Sequence, residues 1–240
     1  MRWIFISPHL DDAVLSAGGW IYDLAQAGER VEIWTLTSGF PPEGDLSPFA
    51  QVTHFVWGFS SAAETIYVRR SEDTRAAQRV GAAAVHFDFL DCIYRRGPAG
   101  EWLYPSDVFD PPHAQDADLP AQMTAALASR LQLDDQMVCP LAIGGHVDHV
   151  LVRRAAEGLG RPLMYYADIP YLLNHPEELE PSTKQMQAEV RDVSSAGLRA
   201  WQEGIAAYVS QIPTLFEPPE SMPEKIENYS RGGLRVWKFE

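Results

Sequence analysis

The sequence predicts an α/β protein with a mostly parallel sheet, helices on both faces and a functional site at the carboxyl ends of the strands. The first reason is the opening succession of an apolar run at Trp3–Ile6, helical spacing of apolar residues over Ala13–Ala27 and a second apolar run at Val31–Leu36. A βαβ unit of this kind has a right-handed crossover, which makes its two strands parallel. The second reason is that clusters of His and Asp follow two of the apolar runs, where open parallel sheets bind ligands.

The remaining elements follow from the same periodicity and from turn residues. Gly28 is the expected stop of the first helix. Two irregular segments, at about 38–63 and 97–119, are predicted as long loops over the site, and their aromatic side chains either wall a pocket or cover the core. Further strands are predicted at Val85–Leu90, Gln136–Leu141 and Arg161–Tyr166. Helices are predicted at Arg70–Ala84, Pro120–Leu131, Val150–Gly158 and Glu180–Val209, the last with a break near Ser194. The chain ends in a short apolar stretch at Leu234–Phe239.

Length and charge narrow the class of protein. The chain has 240 residues, which suits a single domain over 1–240, and 19 Lys and Arg against 33 Asp and Glu give a net charge of −14. That charge disfavours nonspecific binding to nucleic acid or anionic lipid. The cysteines, Cys92 and Cys139, form no metal-binding or disulfide framework. With no leader-like N-terminus and no long apolar span, we expect a cytoplasmic protein with a small-molecule substrate, and a homo-oligomer is compatible with the sequence.

The first polar cluster consists of His9, Asp11 and Asp12, between the first strand and the first helix. An Asp at a helix start is often only a cap. His-x-x-Asp, however, can place two ligands on one cation, and the carboxylate between them can face water on that cation. The second cluster, His146, Asp148 and His149, follows a later strand, so the two clusters can converge although they are far apart in sequence.

Two imidazoles and one carboxylate with an open fourth position are typical of a catalytic zinc site. We therefore predict His9, Asp12 and His149 as metal ligands, and Asp11 as the general base for water whose pKa zinc lowers to roughly 7. His146 is predicted to stabilise the oxyanion and to protonate the leaving amine. Asp148 is predicted to orient an imidazole. Zn²⁺ is the expected ion, and Fe²⁺ could use the same ligands.

These motifs resemble a known family. The stretch Pro8–Asp12 followed by Gly18-Gly19, together with His146–His149, is similar to the paired signatures of the PIG-L, or LmbE-like, zinc-dependent de-N-acetylases. The resemblance extends over about residues 3–211. It implies a Rossmann-like fold and removal of acetyl from N-acetylglucosamine-type sugars carried on a small-molecule aglycone. It also implies Arg69 and Asp91 as substrate contacts, with Arg70 competing for the role of Arg69.

One departure from the family pattern concerns the substrate pocket. Gly144-Gly145 stands where some relatives supply a tyrosine, so no tyrosine is expected from that position. Two alternatives to the deacetylase remain open at the sequence level. The same metal and base could serve a hydratase or another amidase, or the His and Asp cluster could be a structural metal site in a sugar-binding protein.

Overall fold

The computed structural model describes residues 1–239, and the predicted α/β class is confirmed. In that range seven strands form one sheet. The strands are β1 Arg2–Ser7, β2 Arg30–Thr35, β3 Ala83–His86, β4 Gln136–Pro140, β5 Leu163–Tyr166, β6 Met186–Arg191 and β7 Leu234–Phe239.

The strand order is β3-β2-β1-β4-β5-β7-β6. The first five strands in the chain pair in parallel, and β7 joins β5 and β6 in antiparallel fashion. β1 is the middle one of the five parallel strands, with Phe5 opposite Ile33 on one side and Val138 on the other. The chain therefore reverses its strand order beside β1, which is the switch point where such sheets bind ligands.

Helices surround this sheet. They are α1 Asp12–Gln26, α2 Pro48–Trp57, α3 Ala62–Arg79, α4 Leu119–Ala128, α5 Val147–Glu157, α6 Tyr171–Asn174, α7 Leu179–Thr183, α8 Ser195–Ala206, α9 Ile212–Leu215 and α10 Met222–Ser230. No helix within residues 1–239 is both long and apolar enough to cross a membrane.

The core explains why β1 is a continuous apolar run. Ile4, Phe5 and Ile6 are fully buried, as expected for a parallel strand that helices cover on both faces. Gly18 lets α8 approach α1 closely, because a Cβ at that position would lie 2.4 Å from Cδ1 of Trp201. The glycine of the sequence motif thus fixes the helix that carries Asp12 against the rest of the core.

The segment predicted as an irregular loop over 38–63 contains a helix, and that part of the prediction is wrong. Ser47 caps α2 by accepting a hydrogen bond from the Ala50 N–H, Pro48 occupies the first turn, and Gly58 ends the helix with a φ of 81°. The apolar periodicity was obscured because α2 also exposes apolar residues such as Phe55 to solvent. The 97–119 segment is irregular as predicted, apart from a 3₁₀ turn at Ala114–Asp116.

The prediction of a mostly helical segment over 180–209 is also wrong, because β6 interrupts it. Its residues have good helix propensities, but pairing along the whole length of β7 overrides that local preference. Other boundaries differ more modestly: β3 is shorter than predicted, α3 begins earlier, and α5 begins at Val147 instead of Val150.

Candidate active site

The turn after β1 leaves the Asp11 carboxylate out of the capping of α1. Asp11 occupies the N-cap position of α1 but makes no capping hydrogen bond. Ser7 takes over part of that role, because its Oγ accepts from the Ala13 N–H at 3.1 Å. The Asp12 carboxylate accepts from the His9 N–H at 2.7 Å, which fixes the two residues relative to each other. The interpretation of Asp11 as a simple helix cap is therefore wrong.

The second cluster lies at the start of α5. His146 is its N-cap residue, and His146 Nδ1 accepts from the Asp148 N–H at 3.2 Å. A neutral imidazole whose Nδ1 accepts carries its proton on Nε2. His146 can therefore donate a hydrogen bond from Nε2. His149 follows within the first turn of the same helix and is fully buried.

The two clusters converge, as the strand-end argument predicted. The ring centroid of His9 lies 4.7 Å from that of His146 and 5.2 Å from that of His149. Each of the three imidazoles offers a nitrogen within 4.8 Å of the others. The structure thus brings together, at the carboxyl edge of the sheet, the residues that follow β1 and those that follow β4, although they are far apart in sequence.

The Asp12 carboxylate lies between two of these imidazoles. Its Oδ2 is 3.3 Å from His9 Nδ1, and its Oδ1 is 3.4 Å from His149 Nε2. His149 Nδ1 lies 2.6 Å from Asp168 Oδ1, so it donates its proton there. His149 Nε2 is buried and has no hydrogen-bond partner within residues 1–239. A buried imidazole nitrogen that faces a carboxylate oxygen without a hydrogen bond is an arrangement that a shared cation stabilises, so these residues fit a divalent metal ion.

Titration of the cluster supports the same conclusion. Burial alone lowers the pKa of His149, but the Asp12 and Asp168 carboxylates outweigh it and raise that pKa to about 9. Burial raises the pKa of Asp12, yet His149 and His9 more than offset this and hold the pKa well below its usual value. The carboxylates therefore stabilise a positive charge between the imidazoles, and either a proton or a metal ion can supply that charge.

Asp11 and His146 respond differently from the proposed ligands. Burial and the Asp12 carboxylate raise the pKa of Asp11 to about 6, although Arg69 and His9 act in the opposite direction. Burial and the two neighbouring imidazoles lower the pKa of His146 well below its ordinary value. Asp11 is thus suited to accept a proton near neutral pH, and His146 is neutral there.

Asp148 holds the His9 ring in place. Its Oδ2 lies 3.1 Å from His9 Nε2 and accepts from the Cys92 N–H at 2.9 Å. Arg95 donates to Oδ1 of the same carboxylate at 2.5 Å. Burial raises the pKa of Asp148, but Arg95 and His9 outweigh it and lower that pKa well below its usual range. The imidazole that the Asp148 carboxylate contacts is therefore His9, and His146 is contacted by the Asp148 backbone.

The residues expected to contact substrate lie in the same cavity. Arg69 Nη2 donates to Asp11 Oδ2 at 3.3 Å, and the guanidinium lies 4.7 Å from the ring centroid of Trp57 on α2. Asp91 Oδ2 is 3.9 Å from His9 Nε2. Arg70 instead donates to the Ser38 carbonyl and to Asp88, away from the site. Of the two arginines, Arg69 is the one that faces the cavity.

The cavity has a volume of about 160 Å³, and it is built from several elements that the sequence analysis did not connect. Helix α2 contributes Trp57, and the segment after β5 contributes Tyr171. Burial, with the Asp12 and Asp11 carboxylates, raises the pKa of Tyr171 well above its ordinary value, so its hydroxyl keeps its proton. The predicted catalytic groups His9, Asp11, Asp12 and His146 share this cavity with both aromatic residues.

Sequence analysis missed three functional positions. Asp168 orients His149, Arg95 neutralises Asp148, and Tyr171 lines the cavity. A signal for Asp168 was present, because it follows β5 at the same edge of the sheet as the two named clusters. A single Asp without a partner motif carries no recognisable spacing, however, and no sequence pattern marks Arg95 as buried.

The fold and the cluster define an α/β enzyme whose carboxyl-edge site is suited to a divalent cation. Comparison with known proteins identifies the family within this class. The family model for PIG-L, described as GlcNAc-PI de-N-acetylase, matches residues 4–159. The chain belongs to the PIG-L family.

Relatives along nearly the whole chain are deacetylases. A 2'-N-acetylparomamine deacetylase of Niallia circulans is 29% identical over 94% of this chain and 86% of its own length. A 2'-N-acetylparomamine deacetylase of Streptomyces fradiae is 27% identical over 98% of this chain and 81% of its own length. Among solved structures, the zinc-inhibited form of teicoplanin deacetylase superimposes with a TM-score of 0.84 at 28% identity, covering 99% of this chain and 97% of that one. Together with the family match, these relatives identify the protein as a deacetylase.

Proposed function

We propose that the protein removes the N-acetyl group from an N-acetylglucosamine-type amino sugar in a small-molecule conjugate, with a divalent ion held by His9, Asp12 and His149. The observation that carries the proposal is the buried Nε2 of His149, which has no hydrogen-bond partner among residues 1–239 and faces Asp12, next to an Asp11 carboxylate that does not cap α1. Zinc fits this set of nitrogen and oxygen donors, and Fe²⁺ could use it as well.

The divalent ion would supply Lewis-acid chemistry, polarising the acyl carbonyl and making water more acidic. The side chains of the site provide the proton transfers. Asp11, with a pKa of about 6, is mostly ionised at neutral pH and accepts the proton that the attacking water loses. Arg69 keeps this carboxylate in position from the other side. When the carbon–nitrogen bond breaks, Asp11 gives this proton to the amine nitrogen, and acetate and a free amine are the products.

His146 acts on the oxygen of the reacting group. Its low pKa keeps the ring neutral, and the Asp148 N–H on Nδ1 leaves the proton on Nε2. A neutral N–H of this kind donates a hydrogen bond to the negative charge that develops on the carbonyl oxygen. Asp148 and Asp168 act through the metal ligands, because they orient His9 and His149 respectively.

Charge supports an amino sugar whose aglycone carries further amino groups. The chain has a net charge of −14, and the cavity contains Asp11, Asp12 and Asp91. Such a field attracts cationic ligands. Two of the relatives are named for deacetylation of 2'-N-acetylparomamine, and we therefore include this conjugate among the candidate substrates.

The test is an amine-release assay on the zinc-loaded protein. The panel contains N-acetylglucosamine, 2'-N-acetylparomamine and an N-acetylated glycopeptide, and the products are free amine and acetate in equal amounts. Asp11→Asn is expected to keep the metal and to lose about 10³-fold in kcat, within the range for removal of a general base. A fully metallated wild type that releases no amine from any member of the panel would refute the deacetylase proposal and favour a hydratase or another amidase.

A further inference from the structure

Tyr171 lies beside the proposed metal centre on a segment that already serves it. It is the first residue of α6, and the N–H of the next residue, Leu172, bonds to the carbonyl of Asp168 at 2.9 Å. The turn that carries the carboxylate orienting His149 therefore also carries Tyr171. The Tyr171 ring meets the His149 ring edge-on, with a centroid distance of 5.4 Å and an angle of 87° between the planes.

The position of the Tyr171 ring depends on Gly144. This glycine has a φ of +84°, and a Cβ there would lie 2.6 Å from Cδ1 of Tyr171. Any larger residue at 144 would thus be strained in its backbone and would collide with the ring. On another side, Phe109 packs against Tyr171 with a centroid distance of 6.0 Å and against His146 with one of 5.7 Å. Gly144, His149 and Phe109 together hold the ring in one place.

The Tyr171 hydroxyl is not used within the protein. No group within residues 1–239 hydrogen-bonds to it, although the residue lines the cavity that contains His9, Asp12 and His146. Other buried tyrosines donate to internal acceptors: Tyr166 to the Ile6 carbonyl at 2.8 Å and Tyr208 to Asp73 at 2.9 Å. Tyr171 is partly buried and lines the cavity, so its unpaired hydroxyl is available to a ligand that binds there.

We propose that Tyr171 is a catalytic residue whose hydroxyl donates a hydrogen bond to the carbonyl oxygen of the substrate's acyl group, alongside the Nε2–H of His146. This inference rests on the proposed deacetylase function and adds a second donor to it. The His146 and Tyr171 rings both pack against Phe109 and His149, and both residues line the same cavity. The carbonyl oxygen gains negative charge when water adds to the carbon, and donors aimed at that charge accelerate the reaction.

The decisive variant is Tyr171→Phe, which removes the oxygen and keeps the ring that packs on Gly144. We expect kcat to fall about 10²-fold, the effect of losing one oxyanion donor, and KM to rise by a smaller factor, because the same hydroxyl also donates to the neutral carbonyl of the bound substrate. Zinc content and Tm should equal those of the wild type. The matched control is Tyr165→Phe, which removes a hydroxyl that donates to Glu157 at 3.2 Å at the other end of the sheet, and its kcat should be unchanged.

Gly144→Ala supplies a second, independent variant. The added Cβ displaces the ring without removing the hydroxyl, so we expect a lower kcat in this variant as well. In the double variant Gly144→Ala/Tyr171→Phe, the two losses should not multiply, because both act on the same hydrogen bond. Fully multiplicative losses would mean that Gly144 acts on something other than the Tyr171 hydroxyl and would overturn the link between them.

A binding measurement separates substrate contact from a structural role. In the Asp11→Asn background, which cannot turn over, calorimetry compares N-acetylglucosamine with glucosamine on the zinc-loaded protein. Tyr171→Phe should weaken binding of the acetylated sugar and leave that of the amine unchanged. Equal kcat in Tyr171→Phe and wild type, or loss of metal with no selective effect on the acetylated sugar, would overturn the role of Tyr171. An inactive wild type would instead overturn the proposed function itself.

Discussion

The two ends of the sheet differ in a way that separates a functional site from a mere cavity. A cavity of about 770 Å³ lies at the amino end of the parallel strands, lined by residues such as Trp3 and Tyr165. The cavity at the carboxyl end is only about 160 Å³. By size alone, the amino-end cavity would be the first choice for a ligand site.

Charge pairing reverses that choice. In the amino-end cavity, Glu189 pairs with Arg191 at 2.6 Å and also with Lys238, and Glu157 pairs with Arg153 at 2.9 Å. The acids there are matched by cations. At the carboxyl end, buried carboxylates outnumber the guanidinium groups of Arg69 and Arg95, and they are Asp11, Asp12, Asp91, Asp148 and Asp168.

An excess of buried negative charge is costly unless a cation compensates it. The carboxyl end therefore needs an additional positive charge, whereas the amino end is already neutralised. Unmatched buried charge, and not cavity volume, is therefore the observation that supports the carboxyl end as the proposed active site.

The largest expected effect comes from replacing an acid by its amide at the carboxyl end, and the same replacement at the amino end is the control. Asp12→Asn removes the carboxylate that faces both His9 and His149, so bound zinc should fall from about one equivalent to background and amine release by more than about 10³-fold. Elemental analysis after gel filtration measures the zinc. Glu157→Gln makes the same chemical change in the amino-end cavity and should leave both quantities unchanged. If Asp12→Asn retained zinc, this result would contradict the proposed difference between the two ends.

A smaller effect is expected from the carboxylate behind His149. Asp168→Asn keeps an oxygen acceptor but removes the charge that orients the imidazole, so zinc affinity should fall about 10–100-fold. Competition with a chromophoric chelator measures this affinity. Asp73→Asn is the matched control, because Asp73 lies 2.8 Å from His86 in another buried Asp–His pair that faces no proposed ligand. An equal loss in both variants would indicate a general structural effect.

The sequence was sufficient to predict the fold class and the convergence of His9, Asp12, His146 and His149, for one physical reason. The strands were recognisable as local apolar runs, and a parallel sheet brings the carboxyl ends of its strands to one edge. Residues that directly follow such runs could therefore be placed together without any knowledge of the packing.

The parts that could not be predicted depend on contacts between distant segments. The six residues of β6 favour helix locally and become a strand only because β7 pairs with them. Arg95 becomes a buried partner of Asp148 only because the segment after β3 packs over the start of α5. Tyr171 enters the cavity only because Gly144 leaves room for its ring. None of these contacts leaves a periodic pattern in the chain.

The smallest predicted effect concerns stability at the amino end, where charges are matched and no chemistry is expected. Arg2 Nε donates to Asp135 Oδ1 at 2.8 Å. Burial alone raises the pKa of Asp135, but Arg2 and the Gln132 N–H outweigh it and lower that pKa below 3.8. The ionised carboxylate therefore stabilises the fold above the pKa of the unfolded chain, and this contribution is lost as the pH falls through the lower pKa of the folded state. Asp135→Asn should reduce the free energy of unfolding by about 1.5–3 kcal/mol at pH 7, the value of a hydrogen bond to a charged group, and by less at pH 3. Urea unfolding at both pH values measures this free energy. The control variant is Asp134→Asn, which makes the same change at the exposed neighbouring residue.

Zinc content and kcat should stay at wild-type values in Asp135→Asn, because the Arg2–Asp135 pair lies at the opposite end of the sheet from the proposed metal ligands. A loss of zinc in Asp135→Asn would show that the two ends are coupled.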